Sequence, residues 1–330
     1  MRLEHLKYLR CPQSGDVLTV ADAVMAGERV QDGRLVAPSG ASYPIVNFIP
    51  RFVEADNYAA NFGFEWQVHA RTQFDADAKH KMSEERVFSV TGWDRDLSGD
   101  VILEAGSGSG RFTEHLLGTG AMVVSFDYSQ AVEPNYESNG GHENLLLVQA
   151  NIYEMPFEKA FFDKVFCFGV LQHTPDPHAS FQALTKMLKP GAALATDIYL
   201  KTFKRYYLNT RYWVRPFTRN MQPEKLYARC KAYIDFMWPL ARLIRKIPKI
   251  GEAINWRLLI ADYAKQMPDA TDATLKEWAY LDTFDMLSPA FDIPQTPVTY
   301  QRWHEEAQLE NISVRLGPNG VVATASRPKS

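Results

Sequence analysis

Little in this sequence is extreme, and each shortage narrows what it can be. Its 330 residues include only three cysteines, too few for a disulfide framework and in keeping with a reducing compartment. No apolar run approaches the roughly 20 residues that a membrane span needs. The opening Met1-Arg2-Leu3-Glu4-His5-Leu6 has no signal-peptide core. Neither sign of charge dominates: 36 Lys and Arg stand against 39 Asp and Glu, a formal net charge of −3. That balance argues against a nucleic-acid coat, whose surface is strongly basic. Repeats and low-complexity tracts are missing as well. What is there is 46% hydrophobic and 12% aromatic residues, enough for a full core and against global disorder. The expectation is a soluble, cytoplasmic globular enzyme or binding protein, one large domain with appendages.

The chain changes texture four times. Residues 1–55 carry short β-like runs such as Val17-Leu18-Thr19-Val20 and Tyr43-Pro44-Ile45-Val46 between Gly and Pro, a small β-rich appendage. In 56–98, Tyr58, Phe62, Trp66 and His69 recur about once per helical turn, as a helix face packed on the next domain would. Residues 99–198 alternate apolar strands with helical stretches. The strand candidates are Val101–Leu103, Met122–Phe126, Leu145–Val148, Lys164–Phe168 and Ala192–Thr196. Continuous apolar runs with room for crossover helices indicate a doubly wound α/β sheet. Residues 199–290 form a helical, aromatic and basic insertion. In 291–330 a helix over 299–309 and strands over 312–316 and 321–325 follow, joined by the turn Gly317-Pro318-Asn319-Gly320.

The strongest local signal is Val101-Ile102-Leu103-Glu104-Ala105-Gly106-Ser107-Gly108-Ser109-Gly110-Arg111. A buried strand enters a glycine turn and then a helix, at the strand end where nucleotide folds bind ligand. The spacing is Gly-x-Gly-x-Gly rather than the Gly-x-Gly-x-x-Gly of dinucleotide folds. Glu104 precedes the loop; a carboxylate there opposes a pyrophosphate and suits a cationic amino group. Asp127, at the tip of the second strand, is placed for two ribose hydroxyls. The implied ligand has a ribose and an ammonium group but no phosphates.

These residues resemble the class I S-adenosylmethionine-dependent methyltransferase family over about 99–198 and 297–327. Gly169-Val170-Leu171-Gln172-His173-Thr174-Pro175-Asp176-Pro177 resembles the segment after the fourth strand in the branch that methylates quinones and small molecules. Lys189-Pro190-Gly191 resembles the turn before the fifth strand. The resemblance implies a Rossmann-like seven-stranded sheet with an antiparallel terminal hairpin and a helical lid. It implies S-adenosyl-L-methionine as cofactor, held by Glu104, Ala105, Gly106, Ser107, Gly108 and Gly110, then Asp127 and Tyr128. Asn151 and Ile152 would flank the adenine, with Asn151 where the family more often has Asp. Gly169 and Val170 complete the set, and Gln73 would help close the pocket. A second resemblance covers 9–53: Leu9-Arg10-Cys11-Pro12 and Tyr43–Pro50 are similar to the zinc-ribbon-like Trm112 domain. Ser14 stands where a second cysteine would fall, and Pro38-Ser39-Gly40 supplies none. One thiolate cannot make a tetrahedral zinc site, so a metal-free packing or interaction module is expected.

Methyl transfer from a sulfonium is in-line displacement on an activated donor, so alignment supplies much of the catalysis. A base is needed where the acceptor is a hydroxyl. His173 is the candidate; its other reading is a structural cap of the next segment. Asp197 and Tyr199 at the end of the fifth strand, with Arg205 and Tyr206 just inside the insertion, are candidates for touching the acceptor. His173, Asp176 and His178 read as a polar loop rather than a metal site.

Between Tyr199 and Ile250 lie 13 Lys or Arg, 2 acids and 11 aromatics. The local balance of +11 leaves −14 for the rest and suggests an anionic or amphiphilic acceptor, small or lipid-linked. Solvated helix faces or a homo-oligomer contact explain the same composition. The stretch Phe236–Ile247 reads as an interfacial helix at the inner membrane surface, shortened by Pro239. Single-stranded RNA fits poorly with the overall acidity. The leading expectation is O-methylation of a sugar in a surface-glycan or natural-product pathway. Methylation of a quinone precursor or other prenylated aromatic is the alternative. A cofactor-binding scaffold and a nicotinamide oxidoreductase are the other classes.

Overall fold

The computed structural model describes residues 1–54, 57–78 and 81–329, apart from the side chains of Ala60, Asp77, Ala78 and Arg205. The expected boundary between 55 and 56 and the Arg205 side chain fall outside that set. A small antiparallel sheet comes first: β1 (Thr19–Ala26), β2 (Arg29–Val36), β3 (Ser42–Val46) and β4 (Ile49–Pro50). The large sheet has seven strands: β5 (Val101–Ala105), β6 (Met122–Asp127), β7 (Leu145–Gln149), β8 (Phe162–Cys167), β9 (Leu188–Ile198), β10 (Glu310–Gly317) and β11 (Gly320–Ser326). Their spatial order is β10-β11-β9-β8-β5-β6-β7.

β5 to β9 run parallel, and β11 and β10 return antiparallel. The central strands are mostly apolar because helices cover both faces; every residue of β7 is buried. Strand order reverses between β5 and β8, and in such sheets the crevice at the carboxyl ends of that pair is where ligands sit. The loops after these two strands are the glycine loop and Gly169-Val170.

Local chemistry starts the covering helices where the sequence places them. Asp176 accepts from the Ala179 amide at 3.0 Å ahead of Pro177–Thr185, and Thr296 accepts from the Thr299 amide at 3.1 Å ahead of Pro297–Glu306. Each has proline in its first turn, where no amide is needed. One expected turn is not a turn. Lys189-Pro190-Gly191 lies within β9, where pairing jumps from Phe162↔Leu188 to Lys164↔Ala193. Gly191 takes φ +80°, so the residues that looked like a strand boundary make an irregularity inside one long strand.

The N-terminal sheet is joined to the β7 edge. Arg51 bridges Gln149 in parallel, and the Phe52 amide donates to the Gln149 carbonyl at 2.8 Å. Phe48 stacks on Tyr136, rings 5.3 Å apart. Leu9, Leu18, Leu35 and Ile45 share one apolar core with Leu146, Val148 and Phe157. Cys11 is buried there, its Sγ 3.3 Å from the Tyr43 hydroxyl.

The insertion is helical: Phe203–Tyr207, Thr210–Thr218, Pro223–Arg245, Gly251–Arg257 and Asp272–Leu287. Pro239 does not shorten the third of these. Leu226, Cys230, Ile234, Trp238 and Ala241 form a buried row along it. Its packing, with Trp238, Ile234 and Ala241 in one cluster with Leu275, Trp278 and Ala279 of Asp272–Leu287, outweighs the single backbone bond that proline removes. Among the described residues no helix is long and apolar enough to cross a membrane.

Candidate active site

A cavity of about 1040 Å³ opens between the carboxyl ends of the sheet, the helix Ala60–Val68 and the insertion. Its first wall is backbone. Gly106 and Gly108 have φ +73° and +54°, and both face the cavity. A Cβ on Gly106 would come within 2.2 Å of Val170 Cγ2, and one on Gly108 within 3.2 Å of Trp66 Nε1. Asp127 braces this loop. It accepts from the Gly108 amide at 2.9 Å and from the Ser129 amide and hydroxyl at 2.8 and 2.7 Å. Burial raises its carboxyl above the ordinary value, and those donors oppose the rise. Ser107, Tyr128, Ile152, Gly169 and Val170 complete the wall, and Gln73 lies beside it with its buried Oε1 unpartnered.

Four residues expected at the cofactor are not on this surface. Glu104 is buried beneath the loop, accepting from Thr113 at 2.6 Å and Ser125 at 2.7 Å. Burial, against these two bonds, pushes its carboxyl up to about 7. It ties the helix Arg111–Leu117 to β5 and β6 instead of meeting an ammonium group, since odd and even residues of a strand face opposite ways. Ala105 is buried in the sheet. Gly110 faces away, where a Cβ would strike Asn135 and Asn139 within 2.4 Å. Asn151 accepts from the Tyr153 amide at 3.1 Å, stabilising its own turn.

The other wall comes from distant segments. His173 lies between Phe62 and Tyr199, ring centroids 5.0 and 5.3 Å away. Its Nδ1 is 3.0 Å from the Phe291 carbonyl oxygen. A carbonyl only accepts, so Nδ1 is the donor to it, and in the neutral ring Nε2 is the nitrogen with the free lone pair. Tyr199 lines the cavity with its hydroxyl 3.5 Å from Asp285. Asp197 does not: it is fully buried, ion-paired with Arg86 and accepting from the Gly169 amide at 2.5 Å. It fixes the β8 loop and leaves the acceptor to others. Tyr206 packs on Tyr207 and Tyr212 outside the lining.

Three carboxylates that sequence reasoning missed meet here: Glu65, Asp282 and Asp285. None has an ion-pair partner among the described residues. Burial, with Asp285 and Asp282 as neighbours, holds Glu65 well above its ordinary value. Burial raises Asp282 to about 7, opposed by the Tyr263 hydroxyl that donates to it. Asp285 is raised by burial and lowered by the facing His173. A signal existed: Trp278, Asp282 and Asp285 recur at i, i+4 and i+7, one face of the helix Asp272–Leu287. The Tyr58, Phe62, Trp66 and His69 stripe is likewise more than a packing face. Phe62, Glu65 and Trp66 line the cavity, while His69 turns to Glu277 at 2.9 Å.

Of the basic residues behind the +11 balance, Lys204, Arg211 and Lys249 line the cavity, and others are paired elsewhere. Arg215 pairs with Asp292 at 2.6 Å, Arg245 with Asp262 and Lys231 with Asp235 at 3.0 Å. The rest of the insertion, 251–290, holds 7 acids against 3 bases. Asp176 caps its helix, and His178 pairs with Glu306 at 3.0 Å, away from His173.

The donor set fits S-adenosylmethionine: a carboxylate placed for a ribose, an apolar flank at Ile152, and a glycine cradle that any Cβ would fill. Comparison with known proteins agrees. Residues 103–196 match the family model described as a methyltransferase domain. The chain is 27% identical over 145 residues to a ubiquinone biosynthesis O-methyltransferase of Glaesserella parasuis, covering 41% of this chain and 61% of that protein. A protein of the same name from Azoarcus is 32% identical over 115 residues, covering 33% and 48%. The chain thus spans about half the length of the curated relatives it matches. A solved S-adenosylmethionine-dependent methyltransferase from Methanosarcina mazei superposes with a TM-score of 0.42 at 16% identity, over 74% of this chain and 97% of that one.

Proposed function

From the match of residues 103–196 to a methyltransferase domain, we propose that the whole chain transfers a methyl group from S-adenosylmethionine to a hydroxyl of a small or lipid-linked acceptor. The observation that carries this reading is His173, whose Nδ1 is committed to the Phe291 carbonyl while the ring lines the cavity. Nε2 then takes the hydroxyl proton as the oxygen attacks. When bound, the cofactor supplies an electrophilic methyl on a sulfonium. The chain's own part is alignment: the glycine loop and Asp127 fix one partner, and the insertion fixes the other.

A sugar is the acceptor we favour. Asp282, Asp285, Tyr199 and Tyr263 offer hydroxyl-bonding groups, and Trp256 and Trp278 offer flat apolar faces. The names of the relatives favour a quinone precursor, but those alignments cover 41% and 33% of this chain. The test is mass spectrometry of cell extracts incubated with isotopically labelled S-adenosylmethionine, with and without the protein. A labelled saccharide supports the sugar reading, and a labelled prenylated aromatic replaces it. No conversion to S-adenosylhomocysteine with any extract leaves only a binding scaffold.

A further inference from the structure

The exposed apolar side chains of this protein are concentrated in one stretch of the chain. Of the large hydrophobic side chains exposed among the described residues, most lie between 203 and 250. Phe236 is 82% exposed, Phe217 79%, Phe203 69% and Leu243 61%. Single exposed hydrophobics are ordinary; a contiguous set marks an interaction site.

On the helix Pro223–Arg245 the set has a register. Its buried row is Leu226, Cys230, Ile234, Trp238 and Ala241. Lys225, Arg229, Phe236, Leu240 and Leu243 fall on the opposite side at 100° per residue, and all are exposed. The apolar row continues past the helix end with Ile247 and Ile250. The helix therefore has two apolar faces, one filled by its own fold and one facing out.

Charge indicates what covers the outer face. Lys225, Arg229, Lys246 and Lys249 are exposed and have no acidic partner among the described residues. The short helices Phe203–Tyr207 and Thr210–Thr218, earlier in the insertion, likewise expose Phe203, Trp213 and Phe217, with Lys204 and Arg219 exposed nearby in the chain. Aromatic and aliphatic side chains interleaved with unpaired cations suit an anionic lipid surface, where apolar groups enter the headgroup boundary and cations meet phosphates. The face is also continuous with the active site: Lys204, Leu208 and Lys249 are exposed and line the cavity.

We propose that this outer face of the insertion docks on an anionic bilayer surface, with the mouth of the cavity turned to the lipid. The inference does not depend on which acceptor is methylated, because docking is read without turnover.

The test is co-sedimentation of the full chain with two kinds of vesicle, phosphatidylcholine alone and phosphatidylcholine with about one-third phosphatidylglycerol. Expected is binding to the anionic vesicles at least tenfold tighter than to the neutral ones, weakening as salt rises. Phe236→Glu/Leu243→Glu and Lys225→Glu/Arg229→Glu should each lower it at least tenfold while S-adenosylhomocysteine binding, measured by calorimetry, stays unchanged. Absence of vesicle binding overturns the proposal, as does equal binding by the variants. A wild-type dimer that Phe236→Glu/Leu243→Glu dissociates, without vesicle binding, overturns it in favour of a second copy of the chain. Failure here leaves methyl transfer untouched, and failure of methyl transfer leaves vesicle binding untouched.

Discussion

The two walls of the cavity are built in opposite ways. The glycine-loop wall is local and satisfied: Asp127 answers backbone groups within about one turn of chain on either side of the β5 and β6 tips, and its bonds are made before any ligand arrives. The insertion wall gathers Glu65, His173, Tyr263, Asp282 and Asp285 from segments more than 200 residues apart. Its carboxylates form no direct ion pair among the described residues, although Arg111 lines the same cavity and its charge lowers Glu65 and Asp282. The first wall is preorganised for one ligand, which limits what binding must order. The second retains unspent hydrogen-bonding capacity, the condition for recognising a polar acceptor.

Changes in the first wall should therefore act on cofactor affinity, and changes in the second should not. The largest effect is expected from Gly106→Ala. A Cβ would meet Val170 at 2.2 Å with φ held at +73°. Overpacking and the left-handed penalty together cost about 3 kcal/mol, roughly a hundredfold in affinity. Calorimetry with S-adenosylhomocysteine measures it, and adding Val170→Ala should recover part of the loss but not the strain. An equal loss from Asp282→Asn would erase the distinction between the walls.

His173→Ala sharpens the contrast from the other side. Turnover should fall at least tenfold, as removal of a general base requires, with S-adenosylhomocysteine affinity unchanged. Unchanged turnover would return His173 to a structural role, holding Phe291 in place.

The same contrast explains what was legible in the sequence. Gly106, Gly108, Asp127 and the strands around them follow from short-range pattern, because their roles depend on neighbours in the chain. Glu104 and Asp197 were misread by sidedness: each sits at a strand end, but strand alternation sends its side chain under the loop rather than into the cavity. The carboxylates Glu65, Asp282 and Asp285 were overlooked, despite the helical spacing of the last two, for another reason. Thirteen basic residues in 199–250 suggested a basic lid, yet their partners Asp262 and Asp292 come from beyond that window, and only folding reveals which charges cancel. The seven-stranded sheet with its terminal hairpin was readable, whereas the irregularity at Pro190-Gly191 looked like a boundary because both residues usually end strands.

A smaller effect separates the two buried acids held near 7. A carboxyl whose folded pKa lies above its unfolded value binds more protons when folded, so stability falls as pH rises through that window. For Asp282 it runs from about 4 to about 7. Asp282→Asn mimics the protonated form and keeps an acceptor for Tyr263. Its melting temperature should exceed the parent's by on the order of 2–4 °C at pH 8, and the difference should vanish near pH 4. Glu104→Gln should gain less, because Thr113 and Ser125 donate two bonds to the ionised carboxylate that an amide accepts more weakly. Equal gains would mean that burial alone, and not the number of donors, governs both groups.

The smallest effect tests how far the insertion wall depends on packing rather than helix propensity. Pro239 sits inside Pro223–Arg245 and removes one bond, the one an amide there would donate to the Asp235 carbonyl. Pro239→Ala restores that bond and the better helix former, worth up to about 3 kcal/mol in an unpacked helix. Here the helix already accommodates the ring on its exposed side, and alanine returns up to about 1 kcal/mol of freedom to the unfolded chain. The net gain should be about 1 kcal/mol, roughly 2 °C in melting temperature, with cofactor affinity unmoved. A gain near the full propensity difference would mean that Leu226, Ile234 and Trp238 do not set this helix, and that the wall they support is softer than its buried row implies.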